Sequence, residues 1–203
     1  MARELLLSDR PASLRNTYQD IKSDYHRSAS GMGVKLTVGR VLFVTISPAV
    51  LALTLYRIAR LCYAKDFRAV GWLIYTFNIY LTGADIPPST LIGHSCLLAH
   101  ASGMILNGRI GNNVSLYARV GIGGGRAEGD IGGGPGLPVI DDHVSIGVNA
   151  TIMGVVHIGE SAQIGAHTLV LQDVPAGATI TGVPGVVRQT KVSTTKFGSV
   201  TAN

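Results

Sequence analysis

The segment DIPPSTLIGHSCLLAHASG, residues 85 to 103, holds the pair of side chains best suited to proton chemistry. Asp85 opens it, and His100 follows fifteen positions later among small and apolar neighbours. A histidine in such a setting can pack in a core, ligate a metal or take a proton near neutral pH, where imidazole titrates. Residue type and spacing leave these three roles open. His94, His143, His157 and His167 stand singly and read as corner residues, so no zinc-binding constellation emerges and no metal is expected. Cys62 and Cys96 lie in apolar runs without metal-ligand spacing, which suits reduced thiols in a cytoplasmic protein. GIGGG, residues 121 to 125, lacks the strand–helix surroundings of a dinucleotide loop.

The elements that must position Asp85 and His100 follow a six-residue period. Ile86, Ile92, Leu98, Met104, Ile110, Leu116 and Ile122 keep one phase, which resumes at Ile140, Ile146, Ile152, Ile158, Ile164 and Val170. Four positions after the aliphatic residue stands a small or β-branched one: Thr90, Cys96, Val114, Val144, Ala150, Val156, Ala162 and Thr168. This is the hexapeptide pattern of a β-helix, in which three short strands make a coil and stacked coils create the core that no single repeat can bury. The expected fold is mainly β with a helical N-terminus. Fifteen residues is three short of an eighteen-residue coil, so the chain should return from Asp85 to pass beside it at His100. Between the two blocks, GGGRAEGDIGGGPGLP (residues 123–138) loses the inward aliphatic positions and reads as a loop thrown out from the coil.

Residues 1–82 read as an α-helical subdomain, residues 83–188 as the β-helix, and residues 189–203 as a tail. The first 82 residues carry 11 Lys and Arg against 5 Asp and Glu, whereas the remainder carries 6 against 7. That basic part would suit anionic lipid or phosphate. Without a nucleic-acid-binding motif, nucleic acid is not an expected partner. VLFVTISPAVLALTLY, residues 41–56, is uncharged but shorter than the roughly 20 residues of a spanning helix, and it contains Pro48. It reads as a buried or membrane-peripheral helix. MARELLLSDR lacks the features of a signal peptide, and the expected location is the cytoplasm, at the inner face of the membrane if lipid is bound.

YRIARL, GADIPPSTLIG, AHASGMILNG, VSLYARVGIGGG, IGVNATIMGVVHIG, IGAHTLVLQDVP and GVPGVV occur in the order found in the serine acetyltransferases, and from about residue 55 to 188 the chain resembles that family of hexapeptide acyltransferases. The resemblance implies a left-handed parallel β-helix, a homotrimer with active sites between neighbouring prisms, and acetyl-CoA as co-substrate. It places the catalytic pair on Asp85 and His100, with the imidazole as base and the carboxylate fixing its tautomer. The family's donor-groove positions fall on Gly123, Gly124, Val148, Ala166, Pro184 and Arg188.

Departures from the family bear on the acceptor. The aspartate before the catalytic histidine is Ala99 here, and the family's Arg-His-Pro loop triplet is Gly136, Leu137 and Pro138. An amino acid's two charges need partners to repay their desolvation. The sequence therefore favours an uncharged hydroxyl acceptor, a sugar of a surface polysaccharide or its precursor. L-Serine, as in cysteine biosynthesis, is the alternative, and a non-catalytic trimeric scaffold is a third reading. The terminal SVTAN lacks the family's docking isoleucine, so no cysteine synthase contact is expected.

Overall fold

A computed structural model describes residues 11–31, 33, 44–125 and 128–188. Helix α1 spans Leu14–Gly31, α2 Pro48–Ala64 and α3 Arg68–Thr82. Pro48 does not interrupt a helix. It begins α2, where its missing N–H and fixed φ are tolerated, and Ala49, Val50, Ala52, Leu53, Tyr56 and Ala59 behind it are buried. Packing thus explains the run from Ala49 onward, whereas Ile46 is exposed and residues 41–43 lie outside the described ones. No described helix is long and apolar enough to cross a membrane.

α3 packs on α2 by its small and polar stripe. A Cβ at Gly71 would stand 2.9 Å from the Ala59 carbonyl oxygen, so only glycine permits this approach. Asn78 Nδ2 donates to the Ala52 carbonyl at 3.1 Å, and Thr82 Oγ1 donates to the Asn78 carbonyl at 2.9 Å. Val70, Leu73, Phe77 and Tyr80 point outward.

The rest is a left-handed β-helix of three sheets. The first stacks β1 (Leu91–Ile92), β4 (Arg109–Ile110), β7 (Val139–Ile140) and β10 (His157–Ile158). The second stacks β2 (Leu97–Leu98), β5 (Ser115–Leu116), β8 (Ser145–Ile146), β11 (Gln163–Ile164) and β13 (Thr179–Thr181), with β14 (Val186–Arg188) added antiparallel to β13. The third stacks β3 (Ile105–Leu106), β6 (Gly121–Gly123), β9 (Thr151–Met153) and β12 (Leu169–Val170). Every aliphatic residue of the six-residue series is buried, and so is every small or β-branched residue four positions on.

The phase nevertheless slips where the sequence shows none. Leu91 pairs with Arg109 and Leu97 with Ser115, steps of eighteen, but Leu106 pairs with Ile122, a step of sixteen. Leu106 therefore holds the ladder position that the periodicity gives to Met104. Both side chains are buried, which hides the slip. The turn between β2 and β3 is lengthened to residues 99–104, and the next is shortened to 107–108. His100 occupies the lengthened turn.

The other corners use a left-handed backbone. Ser95, Asn113, His143 and Ser161 have φ of 55–61° at one column of turns, and Arg119, Asn149 and His167 have φ of 56–57° at the next. Asn and His tolerate this region better than branched residues do, so His143 and His167 are corner residues, as expected. His157, read the same way, instead stands on β10 with its Nε2 2.9 Å from Asp141 Oδ2.

Candidate active site

Helix α3 ends at Gly83, whose φ of 74° reverses the chain while its N–H donates to the Ile79 carbonyl at 2.9 Å. The reversal lays Gly83–Asp85 along the edge of the third sheet. Gly103 N donates to Gly83 O at 2.9 Å, Asp85 N to Met104 O at 2.9 Å, and Leu106 N to Asp85 O at 2.9 Å. Asp85 is therefore in register with Ile105, twenty residues on. This corrects the coil arithmetic: the lengthened turn puts Ile105, rather than His100, directly beside Asp85. His100 projects from the same turn, exposed, three residues before Gly103.

Asp85 is half-buried, and its Oδ1 accepts a hydrogen bond of 2.7 Å from the hydroxyl of Tyr75 on α3. Among the described residues no hydrogen bond joins Asp85 to His100. The structure thus stacks Asp85 on the far end of the turn that bears His100 and leaves the histidine exposed. Burial, with the hydrogen bond to Asp85 second, pushes the Tyr75 phenol up to about 12, so at neutral pH it stays protonated and donates. Sequence reading missed Tyr75, which looks like one more aromatic in the run WLIYTFNIYL.

A buried ion pair, also missed, holds α1 and α2 to the first coil. Arg57 Nε donates to Asp24 Oδ2 at 3.0 Å, and its other nitrogens reach Asp24 Oδ1 and the carbonyls of Ile92 and Gly93. Asp24 Oδ1 also accepts from Cys96 N at 2.8 Å. Burial pushes the Asp24 carboxyl up, and Arg57 pulls it partly back. Burial disfavours the guanidinium charge too, yet Asp24, with Tyr56 and Asp20, holds Arg57 above its ordinary value. Tyr56 completes the joint, donating to Thr90 O at 2.7 Å.

The expected donor-groove residues do not form one cluster within the chain. Val148 and Ala166 are exposed and occupy the same turn of successive coils, where His167 N donates to Val148 O at 2.8 Å. Gly123 closes β6 at the opposite end of the third sheet's strands, level with Met153, and a Cβ there would meet nothing within 4 Å. Gly124 follows it, exposed, with Leu137 Cδ2 3.4 Å from where its Cβ would stand. Pro184 is exposed in the turn between β13 and β14, and the backbone of Arg188 pairs with Thr179. The loop after β6 folds on itself: Gly136 N donates to Gly129 O at 2.7 Å, and Asp130 Oδ1 accepts from Gly132 N at 2.7 Å. Among the described residues, no group of three or more His, Cys, Asp or Glu is arranged to hold a metal.

Coils stacked on a six-residue repeat, entered from a helical segment through an Asp-bearing turn, give the hexapeptide-repeat β-helix architecture. No family model matches the chain. It is 34% identical over 142 residues to the serine acetyltransferase of Mycobacterium tuberculosis, covering 69% of this chain and 60% of that one. With the serine acetyltransferase of Staphylococcus xylosus it shares 33% over 149 residues, covering 72% of this chain and 67% of the relative. Soybean serine acetyltransferase complexed with serine superposes with a TM-score of 0.77 at 29% identity, covering 86% of this chain and 70% of that structure. The chain belongs to the serine acetyltransferase family. It spans about 60% of the length of the M. tuberculosis and Bacillus subtilis relatives.

Proposed function

We propose that this protein is an acetyl-CoA-dependent O-acetyltransferase whose acceptor is L-serine. The observation that carries this reading is the stacking of Gly83–Asp85 on the turn that bears His100, within a chain whose relatives are named serine acetyltransferases. His100 takes the proton of the acceptor hydroxyl as its oxygen attacks the thioester carbonyl carbon. The C–S bond then breaks, and the departing thiolate leaves as the CoA thiol, protonated by the imidazolium. Asp85 holds the imidazole in the competent tautomer and stabilises its cation. The open surface at Gly123, with the exposed Val148 and Ala166, suits the flexible arm of the donor. Gly124, Pro184 and Arg188 complete the assigned groove, which closes between protomers of a homotrimer. Residues 83–188 form the catalytic unit in this reading, and residues 1–82 its helical cap.

The relatives' names weigh for serine and against the saccharide expected from the sequence. One specific observation keeps a neutral acceptor as a second reading: Ala99, Gly136 and Leu137 offer no charge, and Leu137 lies against Gly124. The test compares kcat/KM for L-serine with a panel of nucleotide sugars and oligosaccharides by thiol release from acetyl-CoA. An L-serine efficiency near about 10⁴ M⁻¹s⁻¹ or above supports the first reading, and a sugar preferred by orders of magnitude supports the second. Absence of thiol release with any hydroxyl acceptor would support the non-catalytic scaffold, and release with any of them rules it out.

A further inference from the structure

The tyrosine that touches the candidate dyad from outside the coil is placed by two features of the helix end. Tyr75 lies ten residues before Asp85, nearly two turns above the end of α3, and the Gly83 reversal folds the chain back so that Asp85 comes level with it. Its ring is held edge-to-face against Trp72, with centroids 5.0 Å apart and planes at 88°. Two side chains on one rigid helix thus fix the direction of one hydroxyl. At 2.7 Å that hydroxyl makes a short, charge-assisted bond to Asp85 Oδ1. Among the described residues this is the one side-chain hydrogen bond of the carboxylate, and Oδ2 is left without a side-chain partner.

We infer that Tyr75 is a positioning residue for the acyl transfer: by binding Oδ1 it fixes the rotation of the Asp85 carboxylate and presents Oδ2 to the imidazole of His100. This rests on the dyad reading above. The contact on Oδ1 holds the carboxylate in one orientation while the imidazole gains its proton and passes it to the leaving thiol. The raised phenol pKa agrees with this, because Tyr75 remains a donor throughout the range in which imidazole titrates.

Tyr75→Phe removes the hydroxyl and keeps the ring packed on Trp72. The expected result is a fall in kcat of about 3- to 30-fold, with KM for acetyl-CoA and the urea unfolding midpoint unchanged. In the Asp85→Asn background the same substitution should produce less than a twofold further loss, because it acts only through the carboxylate. A Tyr75→Phe variant as fast as wild type, beside a slow Asp85→Asn variant, overturns the inference and leaves the dyad standing. A loss of equal size in both backgrounds, or one that follows a lowered unfolding midpoint, assigns Tyr75 a merely structural role and overturns it too. An Asp85→Asn variant as fast as wild type refutes the dyad itself, and the inference falls with it.

Discussion

Replacing Arg57 with methionine tests whether the buried ion pair joins the helices to the coil. The Arg57 side chain is 5% exposed, and its guanidinium reaches both oxygens of Asp24 and two carbonyls of the first coil. Methionine fills the volume and supplies no donor. Asp24, also 5% exposed, then keeps only the Cys96 N–H at 2.8 Å. A buried charge that loses its partner costs about 3–5 kcal/mol, against a total stability of about 5–15 kcal/mol. Urea unfolding at fixed protein concentration reads this directly. The pH dependence supplies a second, independent sign. Burial already raises the folded-state pKa of Asp24 above its unfolded value, and loss of Arg57 raises it further. A group with a raised folded pKa contributes stability that is complete below its unfolded pKa and lost as pH rises through the folded one. The deficit of Arg57→Met should therefore be largest at neutral pH and shrink on acidification, by at most about 1.4 kcal/mol per pH unit. Asp24→Asn combined with Arg57→Met should recover much of the loss, since no lone charge remains. A deficit under about 1 kcal/mol, or one independent of pH between 7.5 and 5, refutes this account.

His100→Ala should lower turnover by on the order of 10²–10⁴ with acetyl-CoA affinity retained, and Asp85→Asn should cost less, both read from steady-state thiol release. Gly147→Ala would drive a Cβ to 2.6 Å from Ala166 N and should destabilise by about 1–3 kcal/mol, whereas Gly123→Ala enters open space and should leave the unfolding midpoint in place while raising KM for acetyl-CoA. Burial pushes the Cys96 thiol up to about 12, so a thiol reagent at pH 8 should modify the partly exposed Cys62 and reach Cys96 only on unfolding, as mass spectrometry would show. Light scattering at micromolar concentration should return the mass of three chains, and an active monomer would contradict a site shared between protomers.

The coil was legible because its determinants are local and repeated. Each buried aliphatic announces itself every six residues, and stacking demands it at every coil. The slip at Met104 and Leu106 escaped notice because burial in the prism is set by side-chain type, whereas register is set by backbone pairing, which leaves no compositional trace. For the same reason the sequence placed Asp85 and His100 at one turn of the coil but misjudged which residue faces Asp85. Residues 41–56 read as one helix containing Pro48, because a proline at a helix start and one inside a helix have the same local composition. Asp24 and Arg57 meet across 33 residues by the docking of α1 on α2, and Tyr75 meets Asp85 only through the reversal at Gly83, neither of which any periodicity encodes.

The excursion after β6 has a further consequence for how such proteins diversify. Pairing across it steps by thirty residues, from Arg109 to Val139, Ser115 to Ser145 and Gly121 to Thr151, and returns to eighteen in the next coil. Twelve added residues are absorbed at one corner while every rung above and below stays matched. Lengthening a loop costs only about 0.6 kcal/mol per doubling, so the scaffold is almost indifferent to what is inserted there. That corner behaves as a socket: segments of different length and chemistry can be exchanged at it by recombination or design while the stack stays in register.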